Sequence, residues 1–163
     1  MAEIGFIGMG NMGSAILNGL LKVYSPENMI FSSARREKME AVTARTKVKH
    51  ADSNRECAEA VKYLILAVKP QYFEAVFSEI RGAVTPEQVV ISLAPGVTIA
   101  NIAERLGGNV RVVRAMPNTP AMLGEGMTGV AYGDLVYTQE EMETIQAIFS
   151  HCGRVELVEE RLM

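Results

Sequence analysis

Short apolar runs alternate with segments of helical periodicity along the whole chain. The apolar runs predict strands at 4–7, 29–32, around Val48, and at 63–68, 89–93, 110–115, 127–132 and 155–158. The periodic segments predict helices at 11–23, 35–45, from 53 onward, and at 72–80, 98–106 and 138–149. Strands that alternate with helices predict an α/β fold, in which helices cover both faces of a doubly wound, mostly parallel sheet.

Two of the predicted helices have well-defined apolar faces. The face of helix 11–23 consists of Met12, Ile16, Leu20 and Val23. The face of helix 72–80 consists of Tyr72, Phe73, Val76, Phe77 and Ile80. Capping boxes, in which a hydroxyl and a carboxylate bond the first free N–H groups of a helix, are predicted at Ser53 with Glu56 and at Thr138 with Glu141. The pair Gly107-Gly108 is expected to close helix 98–106.

A glycine-rich segment joins the first predicted strand to the first predicted helix. Its sequence is Gly8-Met9-Gly10-Asn11-Met12-Gly13, a GxGxxG pattern in the strand–turn–helix context that gives this pattern its meaning. Gly8 permits a tight turn, Gly10 lets the main chain approach a pyrophosphate, and Gly13 lets the helix pack closely on the strand. The alternative is a turn that binds nothing. We expect a Rossmann-type dinucleotide site, with the phosphates at the free N–H groups of the helix.

The residues that follow the second predicted strand determine which dinucleotide the site prefers. NAD sites usually have Asp or Glu there to bind the ribose 2′-hydroxyl. This chain has Ser32-Ser33-Ala34-Arg35-Arg36 instead, and the first acid is Glu37. Hydroxyl and guanidinium groups suit a 2′-phosphate, which Arg binds bidentately. The sequence therefore predicts NADP(H), with NAD(H) left open as a second cofactor, unless Arg35 and Arg36 only solvate the next helix.

Three further strand ends supply candidate contacts. Lys69-Pro70 turns the chain after strand 63–68, so Lys69 is expected near the nicotinamide, unless it is simply a solvated lysine. Ala94-Pro95-Gly96 offers small residues beside the path of the cofactor. Asn118 and Thr119 lie in a loop stiffened by a proline on either side. They either orient a carboxamide or a substrate, or they form a rigid structural turn.

Composition restricts the remaining chemistry. The 163 residues, 48% apolar and 21% charged, are typical of one globular domain, and a net charge of −3 offers no basic surface to nucleic acid or anionic membranes. No segment has the length of a membrane span or the form of a targeting signal, so we expect a cytoplasmic protein. Cys57 and Cys152, like His50 and His151, stand alone, so reduced thiols and ordinary histidines are expected rather than a metal site.

Three stretches of the chain resemble the pyrroline-5-carboxylate reductase family. They are GFIGMGNM at 5–12, AVKPQ at 67–71 and VVRAMPNTP at 112–120. The segment VISLAPGVTI at 90–99 also fits the family. The 112–120 stretch is the most specific of them, because generic Rossmann domains do not contain it. The resemblance extends over essentially the whole chain.

The resemblance implies a fold, an activity and a set of contacts. Family members reduce the C=N bond of 1-pyrroline-5-carboxylate to L-proline with NAD(P)H. Their Rossmann domain, like that of 6-phosphogluconate dehydrogenase, is followed by a helical domain that forms the homo-oligomer and most of the substrate pocket. Residues 1–163 then correspond to the NADP-binding domain alone, and we expect a fragment with no catalytic residue of its own. The implied cofactor contacts are Ile7, Gly8, Met9, Gly10, Asn11, Met12, Ser33, Arg35, Asn54, Ala67, Val68, Lys69, Pro70, Ala94 and Asn118.

Two alternatives are open at this stage. Another imine or β-hydroxyacid reductase of the same superfamily would share the fold, although the 112–120 stretch argues against it. A non-catalytic module that senses NADP would also fit a chain without a substrate domain. The coding sequence beyond Met163 would distinguish that module from the reductase, because only the reductase needs a downstream helical region.

Overall fold

A single sheet of eight strands forms the centre of the part of the chain that the structure describes. The structure is a computed structural model and describes residues 2–117 and 126–163. The strands, in chain order β1 to β8, are Ile4–Ile7, Met29–Ser32, Lys49–His50, Tyr63–Leu66, Val89–Ser92, Arg111–Pro117, Gly126–Tyr132 and Gly153–Leu157. Their order across the sheet is β3-β2-β1-β4-β5-β6-β7-β8. All neighbours are parallel except β6 and β7, which are antiparallel.

Helices pack on both faces of this sheet. Numbered α1 to α6, they are Asn11–Leu20, Arg36–Thr46, Asn54–Glu59, Phe73–Ile80, Ile99–Arg105 and Gln139–Ser150. Alternate strand residues point to opposite faces, so Ile65 joins the core beneath α1, α2 and α6, while Leu64 joins the core beneath α3, α4 and α5. The predicted α/β fold with a doubly wound, mostly parallel Rossmann-type sheet is therefore confirmed.

The predicted apolar faces of two helices extend too far. Helix α1 ends at Leu20, and Val23 lies in the following turn with 62% of its surface exposed. Tyr72 lies in a 3-10 turn, Pro70–Tyr72, that precedes α4, and it is 58% exposed. Both expectations are wrong because the chain changes direction before the periodicity in the sequence stops. Phe73, Val76, Phe77 and Ile80 do form the buried face of α4.

Strand ends and caps also differ in detail from the sequence pattern. The strand expected around Val48 is Lys49–His50, β4 stops two residues before Val68, and β8 begins before Val155 and ends before Val158. The capping box of Thr138 and Glu141 is complete. At α3, the Ser53 hydroxyl accepts the Glu56 N–H, but the Glu56 carboxylate accepts the N–H of Asp52 rather than that of Ser53. Gly107 and Gly108, both with positive φ, follow the end of α5 as expected.

An ion cluster around the buried Glu141 lies at the amino edge of the sheet, where β4, β5 and β6 begin. Glu141, which is 4% exposed, accepts two hydrogen bonds of 2.5 Å from the guanidinium of Arg111 and lies 2.7 Å from Nζ of Lys62. The hydrogen bonds from Arg111 hold the pKa of the Glu141 carboxyl well below its usual range, against the opposing effect of burial. This cluster joins α6 to the strands on which it packs.

No helix among the described residues is long and apolar enough to cross a lipid bilayer.

Candidate dinucleotide-binding site

The carboxyl ends of β1, β2, β4 and β5 meet at one edge of the sheet, which we call the carboxyl edge. In the parallel register, Ile7 of β1 is opposite Ser32 of β2 and Leu66 of β4, and Leu66 is opposite Ser92 of β5. In open α/β sheets, ligands bind beyond this edge. The glycine-rich segment and the predicted contacts from Ser33 to Ala94 all follow these strands.

Gly8 makes the turn at the end of β1. Its φ of +95° is one that side-chain-bearing residues rarely adopt, and a Cβ there would lie 2.9 Å from the main chain of Ala67. Its N–H donates to the Ser32 carbonyl at 2.9 Å, which fixes the turn against β2. The role predicted for Gly8, a tight turn, thus has a steric reason in the structure.

Gly10 faces open space at the start of α1. A Cβ built on it would meet no atom within 4 Å, so nothing in the described chain requires glycine there. Gly10 is also the N-cap of α1; no side chain caps this helix, and its first turn contains no acid. The first N–H groups of a helix are positively polarised and lack partners in the helix. We call the open space beside Gly10 and the uncapped start of α1 the phosphate cradle. The cradle fits the pyrophosphate of a dinucleotide.

Some of the other residues in and beside the glycine-rich segment pack against the core, and others are accessible at the surface. A Cβ on Gly13 would lie 3.0 Å from the Gly8 carbonyl and 3.3 Å from the Ala67 side chain, which explains the close approach of α1 to the sheet. Ile7 and Met9 are buried in the core, so any ligand contact from them comes through their main chain. Asn11 is exposed and Met12 half-buried at the mouth of the cradle.

The end of β2 has cationic and hydroxyl groups but no acid. Ser33 is half-buried, and its N–H donates to the sulfur of Met39. Arg35, the N-cap of α2, is exposed, and its guanidinium makes no ion pair or hydrogen bond within residues 2–117 and 126–163. Arg36 is bound to Glu40 at 3.4 Å, which partly supports the view that it solvates α2. Arg35 is thus the freer of the two to bind a phosphate.

Asn54 lies beside the end of β2 although it is distant in sequence. It is the first residue of α3, and its Oδ1 accepts a 2.6 Å hydrogen bond from the hydroxyl of Ser32. Ser32 is 2% exposed, whereas Asn54 is half-buried and faces the same edge as Ser33 and Arg35. Sequence patterns did not reveal this pairing, because they do not show which helix start packs beside which strand end.

The remaining predicted contacts follow β4 and β5. Ala67 and Val68 are half-buried, and Lys69 and Pro70 are exposed. The Lys69 ammonium has no partner among the residues described. Ala94 is buried after β5, and its N–H donates to the Ser92 hydroxyl at 3.2 Å. Asn118 and Thr119 lie outside the described residues.

Arg114, in the most specific sequence stretch, has a structural role that the sequence did not indicate. It is 3% exposed on the face that carries α5, and its Nη1 donates to Glu160 at 3.3 Å. The same Glu160 oxygen accepts the N–H of Ile99 at 2.6 Å. Arg114 Nε and Nη2 are buried and have no hydrogen-bond partner within the described ranges. Arg114 thus links β6 to the 3-10 turn Glu160–Leu162 and to α5.

Fold and site together define a Rossmann-type dinucleotide-binding domain. The chain belongs to the family described as NADP oxidoreductase, coenzyme F420-dependent, whose model matches residues 3–96. That match covers β1 to β5 and the glycine-rich segment, which is the part of the fold that forms the candidate site.

Relatives with known names confirm the resemblance to pyrroline-5-carboxylate reductases. The chain is 36% identical over 164 aligned residues to the pyrroline-5-carboxylate reductase of Escherichia coli K12, covering 99% of this chain and 60% of that protein. A solved structure of the Coxiella burnetii pyrroline-5-carboxylate reductase superposes with a TM-score of 0.90 at 33% identity, covering 97% of this chain and 59% of the other. The Plasmodium falciparum pyrroline carboxylate reductase, solved with NADP bound, gives a TM-score of 0.84 at 26% identity, covering 98% and 58%. The chain therefore spans about three fifths of the length of these relatives.

Proposed function

We propose that this chain binds NADP(H) and forms the dinucleotide half of a pyrroline-5-carboxylate reductase, which reduces 1-pyrroline-5-carboxylate to L-proline. The names and the extent of the relatives support the proposal. The NADP bound in the Plasmodium falciparum structure also supports the proposal, because 98% of this chain superposes on that structure.

The observation that carries the proposal is the open side of Gly10. Gly8 has neighbours in the chain that exclude a side chain and Gly13 has close neighbours, but Gly10 has none within 4 Å. A glycine without a packing reason, at the uncapped start of α1, is explained by a ligand that approaches the main chain. The expected ligand is an anionic diphosphate, because the polarised N–H groups of α1 favour negative charge.

Preference for NADP(H) over NAD(H) follows from the charges at the end of β2. The exposed and unpaired guanidinium of Arg35 suits a 2′-phosphate, and the Ser33 hydroxyl supplies a further hydrogen bond. An Asp or Glu that would bind a free ribose 2′-hydroxyl is missing from 32–36. Arg36 contributes less in this proposal, since its guanidinium is paired with Glu40.

The chemistry requires the dinucleotide and the imine to be held face to face. When bound, NADPH supplies the hydride that reduces the imine carbon. The role of this chain is to position and orient: α1 holds the diphosphate, and the segments Ala67 to Pro70 and Ala94 to Gly96 lie along the nicotinamide half. Lys69 is assigned a ribose contact or a positive potential, not a proton transfer. We propose no catalytic residue within the described chain.

The proposal also covers the substrate pocket, the oligomeric state and the cellular location of the whole protein. The substrate pocket is formed mostly by a helical domain outside residues 1–163, in keeping with the 60% of the E. coli relative that the chain spans. The same domain forms a homo-oligomer in the whole protein. The whole protein is cytoplasmic, with its cysteines reduced; Cys57 and Cys152 are both buried and unpaired here.

The test is a calorimetric titration of the 163-residue chain with NADPH and with NADH. We expect NADPH to bind at least about tenfold more tightly, which corresponds to ~1.4 kcal/mol. In an assay with 1-pyrroline-5-carboxylate, the loss of NADPH absorbance should be far slower than with the E. coli relative at equal concentration. The folded state of the chain is checked by circular dichroism in the same buffer.

Two results would contradict the proposal. If well-folded chain takes up neither dinucleotide, the site is not a dinucleotide site. If the chain reduces 1-pyrroline-5-carboxylate at a rate close to that of the E. coli relative, the substrate pocket does not lie outside residues 1–163.

A further inference from the structure

The end of β2 is joined to the start of α3 by one buried hydroxyl group. Ser32 Oγ lies 2.6 Å from Asn54 Oδ1, and the residues are 22 positions apart in the sequence. Ser32 is 2% exposed, so water does not compete for its hydrogen bond. The hydroxyl donates to the carbonyl end of the Asn54 amide, which leaves the NH₂ end turned away from Ser32.

The thiol of Cys57 is a second hydrogen-bonding partner that could draw the Ser32 proton away. Burial raises the pKa of Cys57 to about 12, although hydrogen bonds with the Ser32 side chain and the Phe6 backbone oppose this rise. The thiol thus keeps its proton, which it donates to the Phe6 carbonyl at 3.5 Å. Because Ser32 has a single proton and no thiolate beside it, that proton is available to Asn54.

The hydrogen bond with Ser32 orients the side-chain amide of Asn54. With its carbonyl oxygen turned to Ser32, the amide presents its NH₂ group away from the sheet, and this group makes no hydrogen bond within the described residues. The reverse orientation would present an oxygen, which accepts from a ribose hydroxyl but repels a phosphate. The direction of the single Ser32 hydrogen bond therefore decides whether Asn54 presents a donor or an acceptor at the carboxyl edge.

We propose that Ser32 is a positioning residue that, through Asn54, selects for the 2′-phosphate of NADP(H). The inference rests on the proposed dinucleotide function, because it assigns Asn54 to the adenosine end of that site. In dinucleotide-binding sheets the ribose 2′ group lies at the end of the second strand. Ser32 ends that strand, and Ser33 and Arg35 follow it. Asn54 adds a neutral donor to their hydroxyl and guanidinium groups.

The test compares S32A, N54A and the double variant with the unaltered chain by calorimetry, using NADPH and NADH. S32A should weaken NADPH binding about fivefold and change NADH binding less than twofold. N54A should weaken NADPH binding more, and adding S32A to N54A should change nothing further, because Ser32 acts only through Asn54. T46V is the matched control: Thr46 is also a buried hydroxyl, bonded to Val42 and Val48, but lies at the far end of α2.

A measurement without cofactor tests the hydrogen bond itself. In nitrogen-edited NMR spectra of the free chain, S32A should shift the side-chain amide pair of Asn54, which is identified by its loss in N54A. An unmoved pair, an unchanged NADPH affinity in S32A, equal losses for both dinucleotides, or additive effects of S32A and N54A would each overturn the inference. Failure of the unaltered chain to bind NADPH, with the amide shift present, would instead contradict the proposed function.

Discussion

At the amino edge of the sheet, both carboxylate oxygens of Glu141 have cationic partners, whereas at the carboxyl edge the guanidinium of Arg35 has none among the described residues. The start of α6 is closed by a complete capping box, while the start of α1 has no cap. One sheet thus has an end where a charged cluster is satisfied by the chain, and an end where the start of α1 and the Arg35 guanidinium are left without side-chain partners among the described residues.

This difference distinguishes polar groups that stabilise the fold from polar groups that are available to bind a ligand. A buried charge must be paired inside the chain, because its desolvation otherwise costs several kcal/mol. Exposed N–H groups and an exposed guanidinium carry no such penalty and remain available. Substitutions at the amino edge should therefore change stability, and those at the carboxyl edge should change binding.

The largest effect is expected from E141Q. The substitution keeps the shape of the side chain but leaves the guanidinium of Arg111, whose side chain is 12% exposed, without its anionic partner. We expect the free energy of unfolding to fall by about 3 kcal/mol, measured by urea denaturation, with NADPH affinity of the folded protein unchanged. E140Q, in the exposed first turn of the same helix, is the control and should change stability by less than ~0.5 kcal/mol. Equal losses from both variants would remove the special role of the cluster.

The next effect separates two glycines of one loop. G10A should weaken NADPH binding at least about thirtyfold, ~2 kcal/mol, because the new methyl group enters the phosphate cradle. Its stability should stay within ~0.5 kcal/mol of the unaltered chain, since the methyl meets no atom of the chain within 4 Å. G8A should instead destabilise the fold, because its Cβ would strike the main chain of Ala67. A G10A variant that binds NADPH normally would show that the cradle holds no diphosphate.

A smaller effect concerns the choice of cofactor. R35Q should weaken NADPH binding about tenfold, ~1.4 kcal/mol, and leave NADH binding unchanged, because only NADPH has the 2′-phosphate. The loss should shrink at high salt, which screens an exposed charge. R154Q on β8, another exposed arginine, should affect neither dinucleotide. If calorimetry finds equal losses of NADPH and NADH affinity in R35Q, Arg35 does not bind the 2′-phosphate.

The smallest effect is a dependence of stability on pH at the amino edge. The folded-state pKa of Glu141 lies below the unfolded value of about 4.3. The unfolded state therefore binds protons first, and the stabilisation is complete above about pH 5 and declines as pH falls further. The stability difference between the unaltered chain and E141Q should be constant from pH 7 to about 5 and smaller at about 4. A difference that grows in acid would reverse the assigned sign.

Much of the fold was predictable, because strands buried on both faces are continuous apolar runs. Tyr63–Leu66 and Val89–Ser92 are of this kind, and each lies between helices with an apolar face. Errors arose where a local pattern continued beyond its element, as at Val23 and Tyr72. Periodicity reports which face a residue would occupy in a helix, but not whether the helix still exists at that residue.

The candidate site was predictable where it depends on the main chain and on residues that directly follow a strand. The functions of Gly8 and Gly13 follow from turn geometry and close packing, which the sequence motif already specifies. The bond between Ser32 and Asn54, and that between Arg114 and Glu160, link residues 22 and 46 positions apart. Such contacts depend on which elements pack together, and no local pattern contains that information.

The reversed direction of β7 has a consequence for how the domain can change. Because β7 runs antiparallel to β6, the helix that follows it begins beside Lys62 and Arg111, not beside the glycine-rich loop. In the proposed site, exchanging the preferred dinucleotide would require new residues at the end of β2 and the start of α3. The two ends of the sheet can therefore acquire mutations independently, and selection for a new cofactor need not erode the anchorage of the last helix.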